Sequence, residues 1–191
     1  SSRGLGDVYK RQVFHDNTGI DIVKASDSFY QRITYSLYYA GNVGKGGVFI
    51  QQCGWIGAFE LYPGAMSDTD YLNKTGILEG QKKFQDGDGG IPFINIIDRG
   101  YRSTKAAWKL GQFIVQPFFC KSEKKFNTKE TLQSSSIAAD RSGNERAVCI
   151  CKLANIFHNT NYGNRTEDIV RLCDIWLCHS FMVNFMYDNV M

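Results

Sequence analysis

The sequence predicts an α/β protein: a five-stranded mixed sheet, three antiparallel strands followed by two parallel ones, flanked by helices. Three observations carry this expectation. Two continuous apolar runs, IPFINII and FIVQPFF, are separated by one short helix-like segment, which is the pattern of a buried β-α-β unit. Ahead of them stand aromatic-rich alternating runs broken by glycine, the mark of sequential antiparallel strands. Behind them lie two long stretches of helical material. A chain of 191 residues and 21.6 kDa sets the domain number near one. Its 43% hydrophobic and 21% charged residues exclude collagen-like and disordered classes.

The first strand is expected to end at Asp16, because HDNTG carries an Asp-Asn-Thr-Gly turn signal. RITYSLYYAG supplies a second strand over Arg32–Tyr39, and GGVFIQQCGWIGAFELYPG a third within residues 47–60, with strands around Gly54. SDTDYLNKTGILEGQKKF opens on a Ser67 cap and an acidic first turn and carries Tyr71, Leu72, Leu78 and Phe84 in helical order, weakened by Gly76. The fourth strand lies in residues 91–100 and closes on Asp98, Arg99 and Gly100. Ser103 caps a short helix that Gly111 stops, and Pro117 closes the fifth strand. A helix with a flaw at Gly143 follows, and a last amphipathic helix starts at a Thr166 cap.

The opening SSRGLGDVYKRQ reads as the translated edge of a sequencing-library adaptor, so residues 1–12 are set aside as a non-native leader and residues 13–191 as one catalytic domain. Without Arg3, Lys10, Arg11 and Asp7 the basic residues fall from 22 to 19 and the acidic from 19 to 18, so the net charge drops from +3 to +1 and argues for no partner. No uninterrupted apolar run reaches the roughly 18 residues of a membrane span. No membrane partner is expected, and the location is the nucleus in a eukaryotic host or otherwise the cytoplasm. The six cysteines, at 53, 120, 149, 151, 173 and 178, read as buried reduced thiols, since Cys149-x-Cys151 lacks zinc-site spacing. GNVGKGG at residues 41–47 lacks the spacing and the Ser/Thr of a phosphate loop.

Three carboxylates take special places in this order: Asp16 ending the first strand, Asp98 ending the fourth, and Glu145 on the helix after the fifth. Strands one and four lying parallel as neighbours would bring the two aspartates to adjacent strand ends about 4.8 Å apart. Carboxylates so close repel unless cations lie between them. Hard oxygen donors suit Mg²⁺, and a pair of such ions clamps the two oxygens of an in-line phosphoryl displacement. Against this stands the plainer reading of a turn aspartate, a strand-end Asx turn and a solvated helix glutamate.

FINIIDRGYRSTKAAWKLGQFIVQPFF, followed by KFNTKETLQSSSIAADRSGNERAVCICK, resembles the second half of a DDE-type transposase domain of the Harbinger-like endonuclease group. IIDRGY matches that group's D-x-G-[YF] element at Asp98, RSGNER its R-x-x-x-E-R helix at Glu145, and HDNTGI its W-D-[GN]-T turn at Asp16, with His15 in place of the bulkier aromatic. LYPGAMSDTDYL resembles the group's Pro-Gly-x-x-x-Asp turn and makes Asp68 a motif residue of structural or secondary importance. The likeness spans Val13 to Met191. It implies an RNase H-like fold, cleavage and strand transfer of DNA phosphodiesters, and two Mg²⁺ ions, replaceable by Mn²⁺, on Asp16, Asp98 and Glu145, with Asp16 bridging both. It also implies DNA partners, transposon ends and target, a separate or upstream DNA-binding subunit, and possible oligomers. The alternative is a domesticated, catalytically silent DNA-binding or scaffold protein.

Basic residues crowd the segment after the second aspartate: Arg99, Arg102, Lys105, Lys109, Lys121, Lys124, Lys125 and Lys129 against Glu123 alone. Such a run beside an acid is an electrostatic footprint for a polyanion, or else a solvated loop. Helical spacing puts Arg141, Glu145, Val148, Cys149 and Lys152 on one face, so Arg141 and Lys152 join the expected DNA contacts. Leu172, Trp176, Leu177, Phe181 and Phe185 read as core or a partner face.

Overall fold

A computed structural model describes residues 11–87, 90–98, 100–101, 105–118, 126–157 and 169–187, with the Asp140 side chain excepted. The elements among these run β1 (Gln12–Asp21), α1 (Ser28–Thr34), β2 (Tyr35–Ser36), β3 (Gly41–Gln51), β4 (Ile56–Ala58), β5 (Tyr62–Pro63), α2 (Asp68–Lys74), α3 (Ile77–Gly87), β6 (Ile94–Ile96), α4 (Lys105–Lys109), β7 (Phe113–Val115), α5 (Thr128–Cys151) and α6 (Ile169–Met186). The sheet is mixed, in the order β2-β3-β1-β6-β7, with β4 and β5 also paired to β3. β1 is antiparallel to β3 and parallel to β6, and β6 is parallel to β7. The α/β class, the mixed pairing and the closing parallel pair are as expected. The strand number is not: seven strands stand where five were expected, because β4 and β5 are two further short pieces laid along the long β3.

Four boundaries differ, each for a local reason. β1 does not stop at Asp16 but continues to Asp21, because β3 offers partners as far as Val43 and the ladder outweighs the turn propensity of Asp-Asn-Thr-Gly. Residues 28–34 are helical rather than extended; the Asp27 carboxylate accepts from the Phe29 and Tyr30 N–H groups, and only Tyr35 and Ser36 join the sheet. β3 opens at Gly41 rather than at Gly47, so the glycine-rich GNVGKGG is part of the strand. Its glycines let bulky rings lie flat on the sheet: a Cβ on Gly47 would sit 2.6 Å from the Tyr71 ring, and one on Gly46 would sit 3.0 Å from Trp176. The helix after Ser67 is two helices, divided at Gly76 with φ +66°, whereas α5 runs unbroken through Gly143. Ser67 does cap α2, accepting from the Asp70 N–H at 3.1 Å. The expected Thr166 cap lies outside the described residues.

Two apolar layers hold the sheet. On one face Phe14, Ile20, Val48, Ile50 and Ile96 pack against Ala147 and Cys151 of α5 and Leu172, Trp176 and Val183 of α6. On the other, Ile97 and Tyr101 pack with Leu72, Ile77, Leu78 and Ala107 of the smaller helices. Asn184 fixes the end of α6 by bonding both the N–H and the carbonyl of Ile56, at 2.7 and 2.8 Å. α6 is long and apolar enough by length and composition to cross a membrane, at mean hydropathy 1.3 over 18 residues. Arg11 and Gln12, which the sequence suggests setting aside, are built into the fold: Gln12 opens β1, and the buried Arg11 guanidinium lies over the Phe84 and Phe93 rings and donates to the Ile91 carbonyl. The described cysteines are free thiols, but only Cys151 is buried; Cys53, Cys149 and Cys178 are exposed.

Candidate functional site

The parallel ladder sets the site. β1 pairs with β6 at Gln12–Ile94, Val13–Asn95 and Phe14–Ile96, an offset of 82 positions, and Asp98 follows Asp16 by the same 82. The two aspartates therefore keep that register, two residues beyond the last paired rung. Side chains alternate between the faces of a strand, so Asp16 shares the face of Phe14 and Asp98 that of Ile96, both toward α5. β1 outruns β6 from this point on, which leaves its edge open beside the acids.

α5 completes the arrangement. Asn127 and Glu130 form a capping box at its start. Asn144, Ala147 and Cys151 are buried, while Arg141, Glu145 and Val148, one and two turns apart, line a cleft of about 460 Å³ together with Asp16, Asp98, Asp68, Lys45 and Tyr101. Arg141 Nη1 donates to Asp98 Oδ1 at 3.0 Å, and its side chain is 14% exposed. Glu145 is exposed at the mouth. All three predicted acids thus border one cavity. Burial is the chief cause pushing the Asp16 carboxyl up to about 6; Asp98 and Glu145 add to it, while the Asn17 N–H, 2.9 Å from Oδ1, and Arg141 oppose it.

A second group braces the acids from behind. Asp68 Oδ1 accepts from Asn17 Nδ2 at 2.9 Å and from Lys45 Nζ at 3.1 Å, and Lys45 also donates to the Met66 carbonyl. A Cβ on Gly100 would meet Asp68 Oδ2 at 2.6 Å, so a larger residue there would have to displace the Asp68 carboxylate. Within that turn the Tyr101 N–H bonds the Asp98 carbonyl, and Gln116 Nε2 donates to the carbonyls of Asp98 and Tyr101. The Tyr101 hydroxyl is driven well up by burial and then by Asp68 and Asp16. Asp68 thus joins the residue after Asp16 to the residue two past Asp98. The sequence marks Asp68, Gly100 and Tyr101 only through their motifs, and it offers Lys45 solely as a rejected phosphate-loop lysine.

His15 points away from the cleft. Its ring bonds Asn95 Oδ1 at 2.7 Å, which also accepts from Gln81 Nε2 at 2.9 Å; Asn95 Nδ2 donates to Gln112 Oε1 at 3.3 Å, and Gln112 donates to the Leu78 carbonyl at 2.7 Å. Burial lowers the His15 ring to about 4, against the smaller opposing effect of Asn95.

The expected DNA contacts divide. Arg141 lies in the cleft, whereas Lys152 stands half-buried at the end of α5 and Lys105 is exposed away from the cleft lining, as are Lys109 and Lys129 of the same basic run. Arg99, Arg102, Lys121, Lys124 and Lys125 lie outside the described residues. Phe181 and Phe185 are exposed, although Leu172 and Trp176 are core. The oxygen donors of Asp16, Asp98 and Glu145 suit Mg²⁺ in kind, and a cation would relieve the repulsion that Asp16 bears. Among the described residues, however, no three acid, histidine or cysteine side chains stand close enough together to hold one ion. The chain matches no family model, no curated protein and no solved structure.

Proposed function

We propose that this chain is an RNase H-like nuclease domain of the DDE transposase kind, which cuts DNA phosphodiesters and joins the freed 3′-hydroxyl to target DNA. The observation that supports it is the common offset of 82: the strand pairing and the spacing of the two motif aspartates agree, and α5 brings the motif glutamate to the same cleft. Asp16, Asp98 and Glu145 would hold two Mg²⁺ ions, or Mn²⁺ in their place. When bound, such a pair stabilises the attacking and leaving oxygens of the displacement. The chain's own part is to hold the acids apart and the substrate in place. Asp68 and Gly100 fix the turn that carries Asp98 relative to Asn17, and Arg141 presents a guanidinium suited to a phosphate oxygen. Transposon-end and target DNA, with a separate or upstream DNA-binding subunit, are the partners of this reading.

A second reading, a catalytically silent protein derived from such an enzyme, is favoured by one feature: Asp98 is engaged by Arg141. Nicking of supercoiled plasmid with and without Mg²⁺ separates the two. The wild type should nick only with metal and Asp98→Asn should not; Mn²⁺ should also raise the melting temperature of the wild type more than that of the variant. Equal nicking by both proteins removes Asp98 from the mechanism, and no nicking by either leaves the silent reading.

A further inference from the structure

The turn between β2 and β3 carries the most exposed aromatic ring beside the acid cleft. Ser36, Tyr38 and Tyr39 are part of the cleft wall, together with Asp16 and Glu145. Tyr38 is 87% exposed and its neighbour Leu37 is 89% exposed. Tyr38 nevertheless does not hang free. Its ring meets that of Tyr39 edge-on, with centroids 4.8 Å apart and planes at 86°. Tyr39 in turn is seated on β1: a Cβ at Gly19 would lie 2.8 Å from its ring. The residue that ends this turn, Ala40, has φ +50°, the one non-glycine among the described residues in the left-handed region. Strain of that kind persists where the surroundings hold a conformation in place. On the far side of the turn, a second concavity is lined by Lys24, Arg32 and Ala40.

We propose that Tyr38, held on Tyr39, is a stacking platform for an unpaired base of a nucleic-acid strand whose phosphate backbone runs through the acid cleft. The proposal rests on the nuclease reading for the path of the backbone, and it adds the state of the substrate. An aromatic face open to solvent recognises any base by its π-face, without regard to sequence. Within a duplex both faces of a base are already covered, so only a strand that is single or locally opened can use the ring. Lys24 and Arg32 line the concavity that Ala40 borders at the end of the same turn, which puts positive charge beside the platform.

The test is binding without cleavage. Single-stranded DNA oligonucleotides carrying one 2-aminopurine at successive positions are titrated with the protein in Ca²⁺ in place of Mg²⁺, so that the carboxylates keep a counter-ion, and anisotropy and base fluorescence are read together. The wild type should bind and quench the probe at one position or a few neighbouring ones. Tyr38→Ala should weaken binding about tenfold and abolish the quench, with an unchanged melting temperature, while Tyr38→Phe and Tyr38→Trp keep both. A blunt duplex should show no dependence on Tyr38. Wild-type affinity and quench in Tyr38→Ala overturn the proposal, as does a loss in Tyr38→Phe as large as in Tyr38→Ala, or a wild type that binds no oligonucleotide. Asp98→Asn separates this from the nuclease reading. Should no protein nick plasmid while Asp98→Asn still shows the Tyr38-dependent quench, the nuclease reading fails and the platform stands; nicking by the wild type with a Tyr38-independent quench gives the reverse.

Discussion

His15 and Asp16 are consecutive in β1 and turn to opposite faces of the sheet, and both are desolvated titratable groups. On the histidine side the ring, Gln81 and Gln112 all bond Asn95, only Gln81 Oε1 of this group is left without a partner, and the ring stays neutral. The aspartate side is open. Asp16 receives one hydrogen bond from the neighbouring Asn17 N–H, faces two further carboxylates across a cleft, and has its proton affinity raised rather than lowered. Burial alone does not separate structural from functional polar groups. What separates them is whether the neighbours satisfy the buried form or leave its charge in want of a counter-ion.

The sharpest way to break this comparison is to exchange charge for amide on each side. Asp16→Asn should reduce Mg²⁺-dependent DNA cleavage about a thousandfold or more, the scale on which removal of one electrostatic group from a reaction centre acts. His15→Gln should keep cleavage within a few-fold, because its ring faces the other way. A plasmid-nicking time course on both variants decides it, and comparable losses would mean that the two faces of β1 do not differ in function.

The opposite ranking is expected for stability. Asn95→Leu removes the acceptor shared by His15 and Gln81 and orphans buried donors, so it should cost about 3 kcal/mol in urea unfolding. A cost below about 1 kcal/mol would show that the circuit is not what holds this face.

How much of this was legible in the sequence follows from the same physics. The apolar runs ending at Asp98 and Pro117 point to the parallel pair, but only β6 is largely buried; β7, expected to be buried, is the sheet edge and leaves Phe113 55% exposed. The boundaries of β1 and β3 depend on pairing across distant sequence, so the turn propensity of HDNTG ends the first strand at Asp16 and the third strand is expected only from Gly47, whereas the ladder runs from Asp21 and Val43 onward. Asp16, Asp98 and Glu145 are read from motif and topology and Asp68 from its motif alone, but the contacts of Asp68 with Lys45 and Gly100 are not legible, because these residues meet only in three dimensions. Tyr38 and Tyr39 were read as alternating strand aromatics, whereas the Asp27 cap turns that stretch into helix and leaves the two rings on a turn.

The finest test of the comparison is pH. The Asp16 carboxyl is raised from 3.8 to about 6, so its ionisation is less favourable folded than unfolded: the stability it contributes is full below about 4 and is lost as pH rises to about 6. The His15 ring is lowered from 6.5 to about 4, so its contribution is full above about 6.5 and is lost as pH falls toward 4. These two slopes oppose each other over nearly the same window and should largely cancel in the wild type. Asp16→Asn should uncover the histidine slope, so that unfolding free energy climbs by about 1 kcal/mol per pH unit between 4 and 6. His15→Gln should uncover the aspartate slope, with the opposite sign. Urea titrations at half-unit steps measure both; parallel curves for the two variants would mean that neither side chain is perturbed by the face it occupies.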